Sequence, residues 1–309
     1  MKKVLITDSV HEYLINGLSG LNYICDLKEG IGVDTVLSII EDYTGIIINS
    51  RIIIDKAFIN KAKNLKFLGR TGSGMEIVDL EYAAQKGIHC ISSPEGNCNA
   101  VAEHALGLLL AMFNNIIKGN LEVKSEIWQR EQNRGAELEG KTIGIVGYGH
   151  TGSAFAKKLR GFDVEVMAFD KYKKGFNNTF VKEASFKDIL NHADVLSLHL
   201  PLTKETLCMF NKEVIESFKK PFYLINTSRG KVVNTFDLID GLESKKVIGA
   251  ALDVLENEKF ENFSESDQAW FLKLKSNPNV TLTPHIAGWS RESKLKMAQV
   301  LLEKISAIH

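Results

Sequence analysis

The segment Lys141–Gly152 constrains the fold more than any other part of this 309-residue chain. Ile143, Ile145 and Val146 read as a short buried strand that runs straight into Gly147-x-Gly149-x-x-Gly152, and Phe155, Ala156 and Leu159 follow at helical spacing. Glycines between a strand and a helix allow a sharp turn, close approach of the backbone to a ligand, and tight helix–sheet packing. The first amides of the helix and the positive end of its dipole then make an anion site suited to a pyrophosphate.

Taken alone, three glycines at this spacing mark only a glycine-rich turn, so the context decides. A second apolar run, Val164–Phe169, ends in Asp170, 18 residues beyond Gly152, where an acid takes up the ribose hydroxyls of a dinucleotide. That carboxylate accepts from a 2′-hydroxyl and repels a 2′-phosphate, so NAD is expected rather than NADP.

The remaining chain alternates strand-like and helix-like stretches. Val4–Thr7, Tyr23–Leu27, Gly45–Asn49, Leu65–Leu68 and His89–Ser92 are short apolar runs, with helix-patterned residues 33–41, 55–62 and 79–86 between them. Gly72-Ser73-Gly74 follows one of these strands and offers a second pocket of backbone amides, or a plain turn. Residues 100–117, rich in Ala and Leu, predict a long buried helix between two domains. Residues 119–140 are polar and read as an extended arm or an oligomer contact. Strands are expected at 142–147, 164–169, 194–198, 222–226, 248–253 and 280–283, the six of a doubly wound dinucleotide fold. Residues 257–278 interrupt that series as a surface loop or short helix. The fold class is therefore α/β, with parallel sheets covered by helices.

Composition narrows the partners. Lys+Arg and Asp+Glu both number 38, so nothing calls for nucleic acid or an anionic membrane. The four cysteines, Cys25, Cys90, Cys98 and Cys208, form no CxxC pair, which argues against a zinc site and fits a reducing compartment. The run 105–113 is too short to span a bilayer, and the amino terminus meets Asp8 too early for a secretory signal. A cytoplasmic protein without a metal is expected.

Polar residues gather just after the predicted strands, where an open α/β sheet places its ligands. His199-Leu200-Pro201, Asn226-Thr227-Ser228-Arg229, Asp253 with Glu258, and His285 all stand at such ends. Each alone has an ordinary explanation: an arginine pairing with a surface acid, a histidine after a proline turn, a solvated loop carboxylate. Their joint placement points to a site.

At this point the chain resembles the D-isomer-specific 2-hydroxyacid dehydrogenases, and most closely their D-3-phosphoglycerate dehydrogenase branch. The resemblance rests on Gly69–Gly74, Pro94–Asn97 leading to Val101–His104, Gly147–Gly152, Leu198–Thr203, Asn226–Gly230, Ala251–Val254 and Thr283–Gly288. It implies a Rossmann NAD-binding domain, residues 100–284, inserted in a flavodoxin-like catalytic domain, residues 1–99 plus 285–309, closing around a cleft. It implies that Arg229 binds the substrate carboxylate and carbonyl oxygen, that His285 exchanges a proton with the C2 hydroxyl, and that Glu258 orients that imidazole and favours its protonated form. Asp253 would hold the nicotinamide carboxamide. Gly147, Gly149, His150, Thr151, Gly152, Asp170, His199, Leu200, Pro201, Thr227, Ser228 and Gly288 would contact the cofactor. Ser73, Gly74 and Asn97 would meet the substrate, and a homodimer is the expected assembly.

Several positions depart from that pattern. Glu258 is followed by Lys259 and the long insertion rather than by proline, and Met75-Glu76 replaces the usual aspartate after the glycine loop. Asn49-Ser50 stands where an Arg-Ser pair often serves a substrate phosphate, which leaves Arg51 or Arg70 to supply the charge. The sequence given ends at His309, before any regulatory domain of the kind some phosphoglycerate dehydrogenases carry. The expected reaction is hydride transfer between NAD and C2 of a D-2-hydroxy acid, with 3-phosphoglycerate, a serine-biosynthesis intermediate, as first candidate. A general glyoxylate or hydroxypyruvate reductase and an NAD-sensing, corepressor-like binding protein are the alternatives. Glutamine in place of Glu258 would have suggested a formate dehydrogenase.

Overall fold

Every strand pairs parallel with its neighbours, and the strands form two separate sheets. The computed structural model describes residues 2–308. Its contacts divide into two compact units, one running up to Cys98 and resuming at Gly288, the other Asn99–Ala287.

The first unit has strands β1 (Lys2–Ile6), β2 (Tyr23–Leu27), β3 (Gly45–Ile48), β4 (Phe67–Arg70) and β5 (His89–Ser92), in the order β2-β1-β3-β4-β5. The central runs are buried on both faces, which is why they read as continuous apolar sequence rather than alternating. One side is closed by residues such as Phe58, Ile59 and Leu68. The other is closed by Leu14, Leu18, Phe67 and the last helix, Arg291–Ser306, through Ala298, Leu301 and Ile305. The end of the chain thus completes the core of its beginning.

The second unit holds β6 (Thr142–Val146), β7 (Glu165–Phe169), β8 (Val181–Glu183), β9 (Val195–Leu198), β10 (Phe222–Asn226), β11 (Val247–Leu252) and β12 (Val280–Leu282). Their order is β12-β11-β10-β9-β6-β7-β8. There are seven strands rather than the six expected, because β8 is three residues long and no periodicity is legible in Val-Lys-Glu. The order reverses between β6 and β9, the crevice where such sheets take ligands.

The helices correct the sequence reading in three places. The helix expected from Ala100 begins at Pro94, a residue whose missing N–H and fixed φ suit a first helical position, and ends at Phe113. Part of the polar 119–140 stretch is helical, Ile116–Lys124, after Asn115 in the left-handed region. The insertion contains a full helix, Glu265–Ser276, opened by a reciprocal Ser264–Asp267 capping box and packed on the core through Trp270 and Leu274. No single helix among the described residues is long and apolar enough to cross a membrane. The pair Pro94–Phe113 and Ile116–Lys124, bent by 61°, passes on length and composition together, but Ala105, Leu109 and Phe113 lie in the core.

Candidate active site

The glycine turn after β6 is built by close contacts that admit no side chain. Gly147 has φ of +92°, and a Cβ there would fall 2.3 Å from the His199 carbonyl oxygen at the end of β9. A Cβ on Gly152 would fall 2.0 Å from the Gly147 carbonyl oxygen. Gly149 differs: a Cβ there meets nothing within 4 Å, so the space above it is open. The helix that starts at His150 has no side-chain cap hydrogen bond at its Gly149 N-cap, and its positive end suits an anion.

Asp170, at the end of β7, is fixed before any ligand arrives. Its Oδ2 accepts from Tyr148 N at 2.8 Å, and its Oδ1 from Tyr172 N at 2.9 Å and Lys173 N at 2.8 Å. Partial burial pushes this carboxyl up, but the three amides and the nearby Lys173 ammonium more than offset that and hold it below the usual carboxylate range. Lys173 lies 5.2 Å from the centre of the Tyr148 ring, and Lys174 donates to the Asp170 carbonyl.

The His199 side chain is buried, and its Nε2 lies 2.9 Å from Ser197 Oγ. Burial lowers its pKa to about 4, so it is neutral at pH 7. At the end of β10, Asn226 Oδ1 accepts from Ser228 N and Oγ, its Nδ2 donates to the Arg229 carbonyl, and Arg229 Nη1 donates to the Ser228 carbonyl. Thr227 Oγ1 is buried and has no hydrogen-bond partner, one of two such side-chain atoms among the described residues.

The ends of β11 and β12 bring Asp253, Glu258 and His285 together. Asp253 is 1% exposed. Its Oδ1 accepts from Thr283 Oγ1 at 2.6 Å and Ile286 N at 2.9 Å, its Oδ2 accepts from Ala287 N at 2.8 Å, and its carbonyl accepts from His285 N. His104 Nε2 completes the cluster, 3.1 Å from Thr283 Oγ1 and 3.5 Å from Asp253 Oδ1. Burial raises the Asp253 pKa, and these hydrogen bonds, led by His104, bring it below the usual range. The turn they hold carries His285 at φ of +55°, a conformation that costs a non-glycine residue about 1–3 kcal/mol and persists only where its surroundings enforce it. His285 Nδ1 then lies 2.8 Å from Glu258 Oε2. Gly230 makes the neighbouring approach possible, since a Cβ there would fall 1.9 Å from the Leu255 carbonyl oxygen.

The first unit gathers the remaining sequence candidates into two groups. Ser73 Oγ donates to Asn97 Oδ1 at 2.8 Å, and Gly288 lies against the same asparagine, a Cβ there falling 2.8 Å from Asn97 Nδ2. Arg51 stands apart from them. Its Nε donates to Asp8 Oδ1 at 2.7 Å and its Nη2 to the Thr7 carbonyl at 2.6 Å. The expectation of Arg51 as a ready phosphate ligand therefore meets a guanidinium already paired with an acid. Arg70 is similar, bonded to the Asn49 carbonyl and 3.4 Å from Glu76 Oε2. His104 and Asp8 were not singled out as site residues in the sequence; only His104 sat in a motif there.

A dinucleotide fits these residues on their own terms: an uncapped helix start, open space over Gly149, a preset Asp170 and an unsatisfied Thr227 hydroxyl. Among the described residues no cluster of three or more His, Cys, Asp or Glu could hold a metal. The family model for the D-isomer specific 2-hydroxyacid dehydrogenase NAD binding domain matches residues 106–287, more than half of the chain. The chain belongs to this family. Its cofactor is accordingly NAD. It is 33% identical to D-3-phosphoglycerate dehydrogenase from Archaeoglobus fulgidus over 98% of this chain and 56% of that protein. It is 35% identical to glyoxylate reductase from Thermofilum pendens over 82% of this chain and 75% of that one. D-lactate dehydrogenase from Aquifex aeolicus, solved with NAD and lactic acid, matches with a TM-score of 0.86 at 28% identity, covering 99% of this chain and 95% of that one. The chain spans about half the length of the first curated relatives it matches.

Proposed function

We propose that the protein is an NAD-dependent oxidoreductase that interconverts a D-2-hydroxy acid and its 2-keto acid. The observation that carries this reading is the pairing of His285 Nδ1 with Glu258 Oε2. A carboxylate only accepts, so Nδ1 holds its hydrogen and Nε2 is the nitrogen left to exchange a proton with the C2 oxygen. Arg229 supplies a planar fork for the carboxylate and carbonyl oxygens of the substrate. NAD, when bound, takes or returns the hydride at C2. In oxidation of the hydroxy acid His285 would take the hydroxyl proton at Nε2, and in reduction it would return that proton to the C2 oxygen.

His150, Thr151, His199, Leu200, Pro201, Thr227, Ser228 and Gly288 are assigned to the cofactor, and Ser73, Gly74 and Asn97 to the substrate carboxylate. Asp253 has a carboxylate with no accessible surface, so its first role in this reading is to anchor the turn bearing His285. A second copy of the chain is the proposed partner, supported by Ile116, Ile117, Leu121, Val123, Ile127 and Trp128, each 41–77% exposed along one segment.

Two substrate readings divide on the arginines. The Archaeoglobus relative supports 3-phosphoglycerate, the candidate drawn from the resemblance. The pairing of Arg51 with Asp8 and of Arg70 with Glu76 favours an unphosphorylated acid such as glyoxylate or hydroxypyruvate, because a distal phosphate would have to displace a carboxylate there. NADH oxidation against 3-phosphohydroxypyruvate, glyoxylate, hydroxypyruvate and pyruvate tests both. The largest kcat/KM names the substrate. Tight NADH binding with no turnover on any of the four would favour the sensor reading and overturn the enzyme.

A further inference from the structure

Glu258 sits in a loop, and a catalytic carboxylate on a loop needs something to hold it. Proline at the following position would do so by fixing φ; this chain has Lys259 there. The loop is held instead by the side chain that precedes Glu258. Asn257 Oδ1 accepts from Lys259 N at 3.0 Å, closing a turn that has Glu258 as its middle residue. The amide end of the same side chain, Nδ2, donates to Asp267 Oδ2 at 3.1 Å. Asp267 is itself held by several hydrogen bonds. It accepts from Ser264 N and Oγ in the capping box, and its Oδ1 accepts from the indole N–H of Trp270, which is 3% exposed in the core.

We propose that Asn257 is a positioning residue for the Glu258–His285 pair, and that the 257–278 insertion serves as its brace. The chain of contacts runs from the buried Trp270 through Asp267 and Asn257 to the Lys259 backbone N–H, which closes the turn around Glu258, and Glu258 Oε2 then meets His285 Nδ1. Three hydrogen bonds along it belong to the insertion, so this segment sets the geometry of a carboxylate within it. The proposal rests on the acid/base reading of the pair given above.

The test compares Asn257→Ala, Glu258→Gln and the double variant, with kcat, KM for the reactive keto acid and NADH affinity measured in each. Asn257→Ala is expected to lower kcat about tenfold to a hundredfold, the scale of a misplaced catalytic group, with KM and NADH affinity within about twofold of wild type. In the Glu258→Gln background the same change should cost less than about twofold, because the carboxylate it positions is gone. Asn257→Ser keeps a hydroxyl acceptor for Lys259 N and should recover part of the kcat. If Asn257→Ala does not fold, the serine variant in both backgrounds makes the same comparison. Wild-type kcat in Asn257→Ala, or an equal loss in both backgrounds, overturns the proposal, since a merely structural brace would act on both alike. Full activity in Glu258→Gln would instead overturn the acid/base reading itself.

Discussion

The two sheets each reverse their strand order, yet they treat the crevice at the reversal in opposite ways. At the β1/β3 reversal of the first sheet, Asp8 accepts from Asn49 N and from Arg51, while Arg70 holds the Asn49 carbonyl and pairs with Glu76. Charges there are matched within the protein. At the β6/β9 reversal of the second sheet, no side chain caps the helix start, Gly149 faces open space and Asp170 is braced by three backbone amides beside the Lys173 ammonium. Topology offers a crevice in both. The two crevices differ in how their polar groups are held, by ion pairs in the first and by backbone amides in the second.

The largest expected effect tests the second sheet's edge. His285→Asn should lower kcat by about a hundredfold to ten-thousandfold while NADH fluorescence titration stays near wild type, because the proposed reading assigns the proton to His285 and the cofactor to the glycine turn and Asp170. A fully active variant would show that the proton travels elsewhere.

Asp253→Asn comes next. Losing charged hydrogen bonds to Thr283 Oγ1, Ile286 N and Ala287 N should cost about 1.5–3 kcal/mol in urea unfolding, and kcat should fall because the His285 turn relaxes. The Asp253 pKa is lowered in the folded state, so its contribution is fully present above the unfolded value of about 4 and is lost as pH falls through the folded one. The stability gap between wild type and variant should therefore narrow below about pH 4. A gap that widens with acid would contradict the anchoring role.

Cofactor choice sharpens the comparison further. Wild type should favour NADH over NADPH in kcat/KM, and Asp170→Ala should narrow that ratio while weakening NADH, since the acid both repels a 2′-phosphate and ties down residues 172–173. Equal use of the two cofactors by wild type would remove Asp170 from the argument.

The smallest effect is expected in the first sheet. With Arg51 held by Asp8, Arg51→Ala should raise KM for 3-phosphohydroxypyruvate and for glyoxylate by similar small factors. A selective rise of about tenfold or more for the phosphorylated acid, worth roughly 1.5–3 kcal/mol, would show that the guanidinium leaves Asp8 for phosphate and would level the contrast between the two crevices.

Much of this molecule was legible in the chain. β6 and β9 are fully buried runs of five and four residues, and Gly147 and Gly152 after β6 announce their own turn because no side chain fits at either. The insertion helix also carried its signals, a Ser264–Asp267 box followed by Trp270, Phe271 and Leu274. The Ile116–Lys124 helix gave a weaker one, because its apolar residues face outward and Gly119 interrupts it.

By itself, then, the sequence determined every strand but β8, the parallel α/β class, the glycine turn and which residue types stand at the strand ends. These are local properties, set by the period of apolar residues and by the few backbone conformations that glycine and proline permit. Tertiary structure alone decided how the polar groups are matched. Asp8 meets Arg51 from 43 residues away, His104 meets Thr283 from 179 residues away, and Asp267 reaches back to Asn257. Whether a charge is neutralised, or a carboxylate aimed, depends on neighbours within a few ångströms, and chain order carries no record of that distance.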